Sequence, residues 1–275
     1  MAPPKEFPIK LGSILFTMVE PHKGHEVEYN RWYEHDHFYS GCMVGAWQFA
    51  GDRFVATKRL KDLRYPAGSD MTPGNDIGSY LAIYWVLEGK HDEWNEWAVE
   101  QVNWLHQNGR MFDRRSHIHT LLYEKRWAAR KADDTCTIEL ALDHNYPGIV
   151  VVAGDVNEGH THKEVDAWFR DTYLPGTFDQ PWGPDLVLDA TTLPLLDDRP
   201  ADVPPPAAGP SRFLQVHFLD HDPEDGWADG YAKIGQAMND SGQSWCCMSL
   251  GVGRVQRGRS PVIQGAWTST VRRVA

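Results

Sequence analysis

Cysteine is scarce in this 275-residue chain: Cys42, Cys136, Cys246 and Cys247 are the only four, and no two form a CxxC. The adjacent pair is poorly suited to bridging itself, so the spacing excludes a disulfide framework and predicts reduced, mostly buried thiols. Positive charge also runs short, with 27 Lys and Arg against 38 Asp and Glu and a formal net charge of −11. Nucleic acid and anionic membrane surfaces need a basic face, so neither is an expected partner. No run of about 18 apolar residues occurs, and the opening MAPPKEFPIKLGSILF lacks a signal-peptide cleavage pattern, which predicts a cytoplasmic protein. GxxxxGK[ST], GxGxxG in a strand-helix context and the GxSxG elbow are all missing, which removes NTP, dinucleotide and serine-hydrolase readings.

What the chain has is 12 tryptophans, 13 histidines and a repeated pattern. The stretch from Glu26 to Arg53 reads as an amphipathic helix that ends near Phe38 and turns through Ser40 and Gly41 into a strand. At 100° per residue, Tyr29, Trp32 and Tyr33 share a face, which Asp36 and His37 extend. Val165, Trp168, Phe169, Thr172 and Tyr173 stand at the same spacing later on. The aromatic positions recur, whereas Asp36 and His37 become Thr172 and Tyr173, so packing does not require the two ionisable groups. The plainer alternative is that either polar group caps the last helical turn.

Around this pattern the periodicity predicts β-α-β-β-α-β twice, in units spanning residues 1–130 and 131–275. Strands are expected at 11–19, 44–57, 79–87 and 117–124, then at 148–155, 185–196, 212–219, 244–252 and 262–271, with a joining strand at 135–142. A polar loop follows the second strand of the first unit, and a Pro-rich connector occupies the same place in the second. In the third strands, Leu81, Ile83, Trp85 and Leu87 alternate with Tyr80, Ala82, Tyr84 and Val86, and Leu214, Val216 and Phe218 with Phe213, Gln215 and His217. Packing the aliphatic faces under helices would point Tyr80, Tyr84, Gln215 and His217 into the barrel.

The residues Trp32-Tyr33 with His37 and Gly41, and Trp168-Phe169 with Leu174-Pro175-Gly176, are similar to the W-Y-x-x-x-H-x-P…G pattern of EthD-like and antibiotic-monooxygenase-like proteins. Tyr39 stands where that pattern has proline, and the second copy has no histidine. The chain thus resembles the dimeric α+β barrel superfamily in a tandem form. The resemblance implies an α+β fold of two ferredoxin-like repeats with a hydrophobic pocket between sheet and helices. Members include cofactor-independent monooxygenases, polyketide cyclases, lactone isomerases and haem-dependent enzymes, so fold alone leaves the reaction open.

The expected function is a cofactor-independent enzyme carrying out enolate-type acid-base chemistry, cyclisation, isomerisation or oxygenation, on a hydrophobic aromatic or polyketide-like carbonyl compound. Its catalytic residues would be His37, Asp36 and His217, with Trp32, Tyr80, Tyr84, Tyr173 and Gln215 binding substrate. One alternative is a non-catalytic small-molecule-binding protein. Another is a haem or divalent-metal enzyme using His37, His217 or the strand pair His117 and His119, whose His-x-His spacing puts both imidazoles on one face. Association into a homodimer is left open.

Overall fold

In a computed structural model, the described residues are 9–66, 69, 71–195, 199–205 and 208–241, with the backbone of 245–255. Eight strands form one closed antiparallel barrel: β1 (Leu11–Pro21), β2 (Gln48–Val55), β3 (Tyr80–Leu87), β4 (Arg115–Arg130), β5 (Gly148–Val156), β6 (Leu186–Leu193), β7 (Arg212–Leu219) and β8 (Trp245–Val255). Around the barrel they run β1-β3-β2-β8-β5-β7-β6-β4. Read as two halves, the order is β4-β1-β3-β2 and β8-β5-β7-β6, the same ferredoxin-like winding twice. The halves meet along β4 and β6, paired from Leu122 with Leu193 to Arg130 with Leu186 with one shift between Lys125 and Trp127, and along a short β2–β8 seam.

The barrel interior is filled. Ile14, Phe16, Ile83 and Trp85 meet Ile149, Val151, Val216 and Phe218 in one cluster, all almost fully buried. The segment between the halves closes this core. A 3-10 turn at Ile138–Leu140, where a strand was expected, contributes Ile138, Ala141 and Leu142, and the Trp85 indole donates to the Ile138 carbonyl at 3.1 Å. The aliphatic face of β3 therefore points inward. Tyr80 and Tyr84 pack under the helices of the first half, and His217 and Gln215 under those of the second, opposite to the expectation from alternation. Both faces of β3 are buried, so period-2 patterning could not choose between them.

The outer face of the first half carries α1 (Glu26–Trp32), a π-helical segment (Tyr33–Met43) and α3 (His91–Gln107). The opening helix does not stop near Phe38; it widens and continues past Ser40 and Gly41. The second half repeats the change with α4 (His162–Trp168), a π segment (Phe169–Tyr173) and α5 (Leu174–Thr177), followed later by α6 (Ile234–Asp240). The expected strand at 262–271 lies outside the described residues.

The loop after the second strand of each half reaches across to the other half. In the first, α2 (Lys58–Lys61) sends Leu60, fully buried, into the cluster under the second-half helices, and Tyr65 donates to the Tyr231 carbonyl at 2.5 Å. In the second, Leu195, Arg199, Pro200, Asp202 and Val203 cover the helix face of the first half.

Candidate functional site

That cover lies over a cavity between the first half's sheet and helices. Its walls are largely apolar, with Leu15, Leu122, Ala98, Val99 and Val102, and a few polar groups converge on it. This mixture suits a small organic ligand.

His37 sits on one wall because of the π segment. In that wider turn, bonded i to i+5, residues four and five apart stack, so Tyr33, His37 and Cys42 succeed one another along the cavity. The His37 imidazole lies on the Trp32 indole at 4.5 Å and 18°, and meets Tyr33 edge-on at 5.1 Å. Its Nδ1 is sealed without a hydrogen-bond partner against Gly41, where an added Cβ would stand 2.6 Å from the ring. Nε2 is then the ring nitrogen left to meet a ligand. Burial, with Arg115 and His117 nearby, pushes the ring's pKa down to about 3, so it is neutral at pH 7.

Facing it, the hydroxyls of Tyr33 and Tyr84 share a 2.6 Å hydrogen bond. Burial raises both phenols well above their ordinary range, and the Cys42 thiol beside them up to about 12. These groups stay protonated and act as donors. On β4, Arg115 donates to Asp202 at 2.7 Å and to the Phe112 carbonyl, with its guanidinium over Trp32 at 5.1 Å. Burial works against ionised Asp202, yet His117 and Arg115 hold its carboxyl below the usual range.

The other expected site residues are distributed differently. Asp36 does not orient His37: it is turned outward to Arg110 and accepts from Ser40 at 2.6 Å. Its pKa is lowered, chiefly by the Arg110 hydrogen bond. Trp32 backs His37, whereas Tyr80 packs against Tyr29 at 5.2 Å and lines no part of the cavity. His217, Gln215 and Tyr173 belong to the second half. There His217 is within 3.1 Å of the Tyr231 hydroxyl and 3.0 Å of Gln215, which donates to buried Asp189 at 2.9 Å. Burial lowers the His217 pKa to about 3 and raises that of the Asp189 carboxyl well above its ordinary value, so these groups bond to one another, with Arg126 3.7 Å from the second Asp189 oxygen. Tyr173 stacks on Trp168 at 5.0 Å and 22°, as His37 does on Trp32.

The metal alternative loses its pair. Met18 pairs with His119 and Val19 with His117, so Ile118 is an extra, bulged residue. His119 thereby faces the barrel interior, 2.8 Å from the Tyr123 hydroxyl, while His117 faces the cavity. Among the described residues, no three His, Cys, Asp or Glu side chains gather as metal ligands. For haem, the candidate axial donor is His37 Nε2, but the wall arginines that would meet propionates are turned to protein groups, Arg115 to Asp202 and Arg199 to the Val203 carbonyl. The wall thus offers haem one candidate donor and neither of these two arginines. Of Tyr33, Cys42, Arg115, Thr17, Thr120 and Asp202, Tyr33 stands in the sequence pattern that carries Trp32 and His37, and the other five form no local pattern with it.

No family model matches the chain, and no curated protein matches its sequence. Solved structures do match. A provisionally named monooxygenase of Fusobacterium nucleatum aligns over 90% of this chain and 93% of its own at TM-score 0.50 and 10% identity. An anthrone oxidase-like protein aligns over 91% and 95% at 0.50 and 10%, and a provisionally named chlorite dismutase over 90% and 96% at 0.51 and 9%. The likeness is one of fold, an α+β barrel built from ferredoxin-like windings. In this α+β barrel both halves come from one chain, and the cavity occupies the helix side of the first half. None of the described helices is long and apolar enough to cross a membrane.

Proposed function

We propose that the first-half cavity is the active site of an oxidative enzyme that forms and stabilises the enolate of a hydrophobic aromatic or polyketide-like carbonyl compound without a cofactor. The observation that carries this reading is a neutral, unpartnered imidazole beside a Tyr33–Tyr84 hydroxyl pair in an otherwise apolar cavity. Donors fixed in a dry site stabilise an oxygen that gains negative charge far better than water-exposed ones. His37, through Nε2, and the tyrosine pair would hold the substrate oxygen, while the aliphatic wall holds the rings. The chain reads as two repeats, 1–130 and 131–275, of which the first carries chemistry and the second its filled counterpart.

Names among the fold neighbours, a monooxygenase and an anthrone oxidase-like protein, favour the oxygenation branch. Anthrone is therefore the first probe. Loss of a proton from its methylene gives the enolate; O2 accepts electron density and bonds at that carbon; the resulting peroxide loses water to give anthraquinone. The balance is one anthrone and one O2 to one quinone and one water. Aerobic turnover followed by quinone absorbance, with O2 consumed one to one, is the expected result. Saturable binding without turnover of anthrone or related phenolic ketones would favour a carrier instead. A Soret band in the purified protein would overturn cofactor independence.

A further inference from the structure

The bulge that parts His117 from His119 also creates an arrangement the sequence pattern hides. Skipping Ile118 puts His117 and Thr120, three residues apart, on the same face of β4. His117 Nδ1 is 2.7 Å from Thr120 Oγ1, and Thr120 Oγ1 is 2.8 Å from Thr17 Oγ1 on β1. On the far side of the ring, His117 Nε2 faces Asp202 Oδ2 at 3.7 Å. That carboxylate comes from the second-half arm and is held by Arg115 at 2.7 Å and by His106 at 3.1 Å. A carboxylate, an imidazole and a hydroxyl in series are the parts that position a general base.

We propose that His117 is the general base of this cavity, oriented by Asp202 from the other half, with the Thr120 and Thr17 hydroxyls conducting the substrate's proton to it. The inference rests on the enolate-forming reading above and divides its labour: sealed His37 donates to the oxygen, and His117 takes the proton. With its proton on Nε2 facing Asp202, His117 accepts from Thr120 at Nδ1, Thr120 accepts from Thr17, and Thr17 keeps a lone pair for the substrate. When the substrate's C–H or O–H bond breaks, its electron pair stays on the substrate as enolate. One proton moves along the hydroxyls, His117 becomes imidazolium, and Asp202 remains a carboxylate. Asp202 is a positioning residue. The groups facing His117 are Asp202, Arg115, whose guanidinium lies 3.4 Å from Nε2 and competes with Asp202 for it as a donor, and, electrostatically, His37.

The test separates proton removal from oxygenation. Under anaerobic conditions in D2O, exchange of the anthrone methylene hydrogens, followed by proton NMR, reports deprotonation alone. The wild type should accelerate exchange, and His117→Gln and Thr120→Val should each slow it by roughly 10²-fold or more. If the wild type accelerates exchange and both variants match it, this inference falls while the enolate reading stands. If the wild type binds anthrone and exchange stays at the solvent rate, the enolate reading falls and takes this inference with it. Nitrogen-15 NMR of the histidine rings decides the matter independently of variant folding. The resonances perturbed by Asp202→Asn should belong to an Nε2-protonated His117 in the wild type, whereas an Nδ1-protonated ring, with Arg115 donating to Nε2, overturns the proposal.

Discussion

The imidazole of His37 lies flat on the indole of Trp32, with ring centres 4.5 Å apart and planes 18° from parallel. The two residues are five apart in sequence, the spacing that a π turn brings into register. Trp168 and Tyr173 reproduce the relationship in the second half at 5.0 Å and 22°. The aromatic step is therefore what packing asks for at this place in either half, and an imidazole upon it in the first half is an addition that packing leaves unexplained.

Removing that imidazole should separate activity from fold. His37→Ala is expected to lower turnover of the anthrone probe by roughly 10²–10⁴, the range of a group acting on the transition state, with an unchanged circular dichroism spectrum. Thr172→Ala, at the position matching Asp36, should leave turnover near wild type. Gly41→Ala tests the placement more finely. A methyl 2.6 Å from the ring must push it off Trp32, so turnover should fall while stability drops by about 1–3 kcal/mol, measured by urea unfolding.

The Tyr33–Tyr84 pair lends itself to a double-mutant cycle. Each single Phe substitution leaves one buried hydroxyl short of a partner, which costs about 1–3 kcal/mol. The double variant removes both hydroxyls, so its loss should be clearly smaller than the sum of the singles. Additive losses in denaturant titrations would mean that the hydroxyls are not coupled.

Acid should weaken the fold over a defined window. His37 and His217 are both held neutral by burial, with pKa values lowered from 6.5 to about 3. Between those values the unfolded chain binds more protons than the folded one, so stability is full above about pH 6.5 and declines as pH falls towards 3. His217→Gln, which keeps a polar group of similar size, should flatten part of that slope in chemical unfolding measured from pH 7 to 4. Asp36, whose pKa is depressed below its ordinary 3.8, adds its own loss only further into acid.

Leu60 lies in the arm between β2 and β3 and is fully buried under the other half's helices. Leu60→Ala is expected to cost about 2–5 kcal/mol, as a core truncation does, where an ordinary surface loop would lose almost nothing. Hydrogen exchange should then quicken in α6, at the far side of the contact, before it quickens in α3.

Sequence by itself determined the winding. Strand alternation, the recurring Trp-aromatic helix and the two loops after the second strands specified β-α-β-β-α-β twice, because each depends on local period and turn chemistry. It also brought His37 forward, since a duplicated packing pattern exposes whatever one copy adds. Three matters were decided only by tertiary structure. Which faces of β3 and β7 look inward could not be read from strands buried on both sides, so Tyr80, Tyr84, Gln215 and His217 were expected in the barrel and lie under helices instead. One extra residue at Ile118 reversed the phase of β4, parting His117 from His119 and joining it to Thr120, because side chains alternate with period two and a single-residue slip turns them over. Asp202 came to Arg115 and His117 from a connector some eighty residues away in the chain, a neighbourhood that closure of the barrel creates and no local pattern encodes.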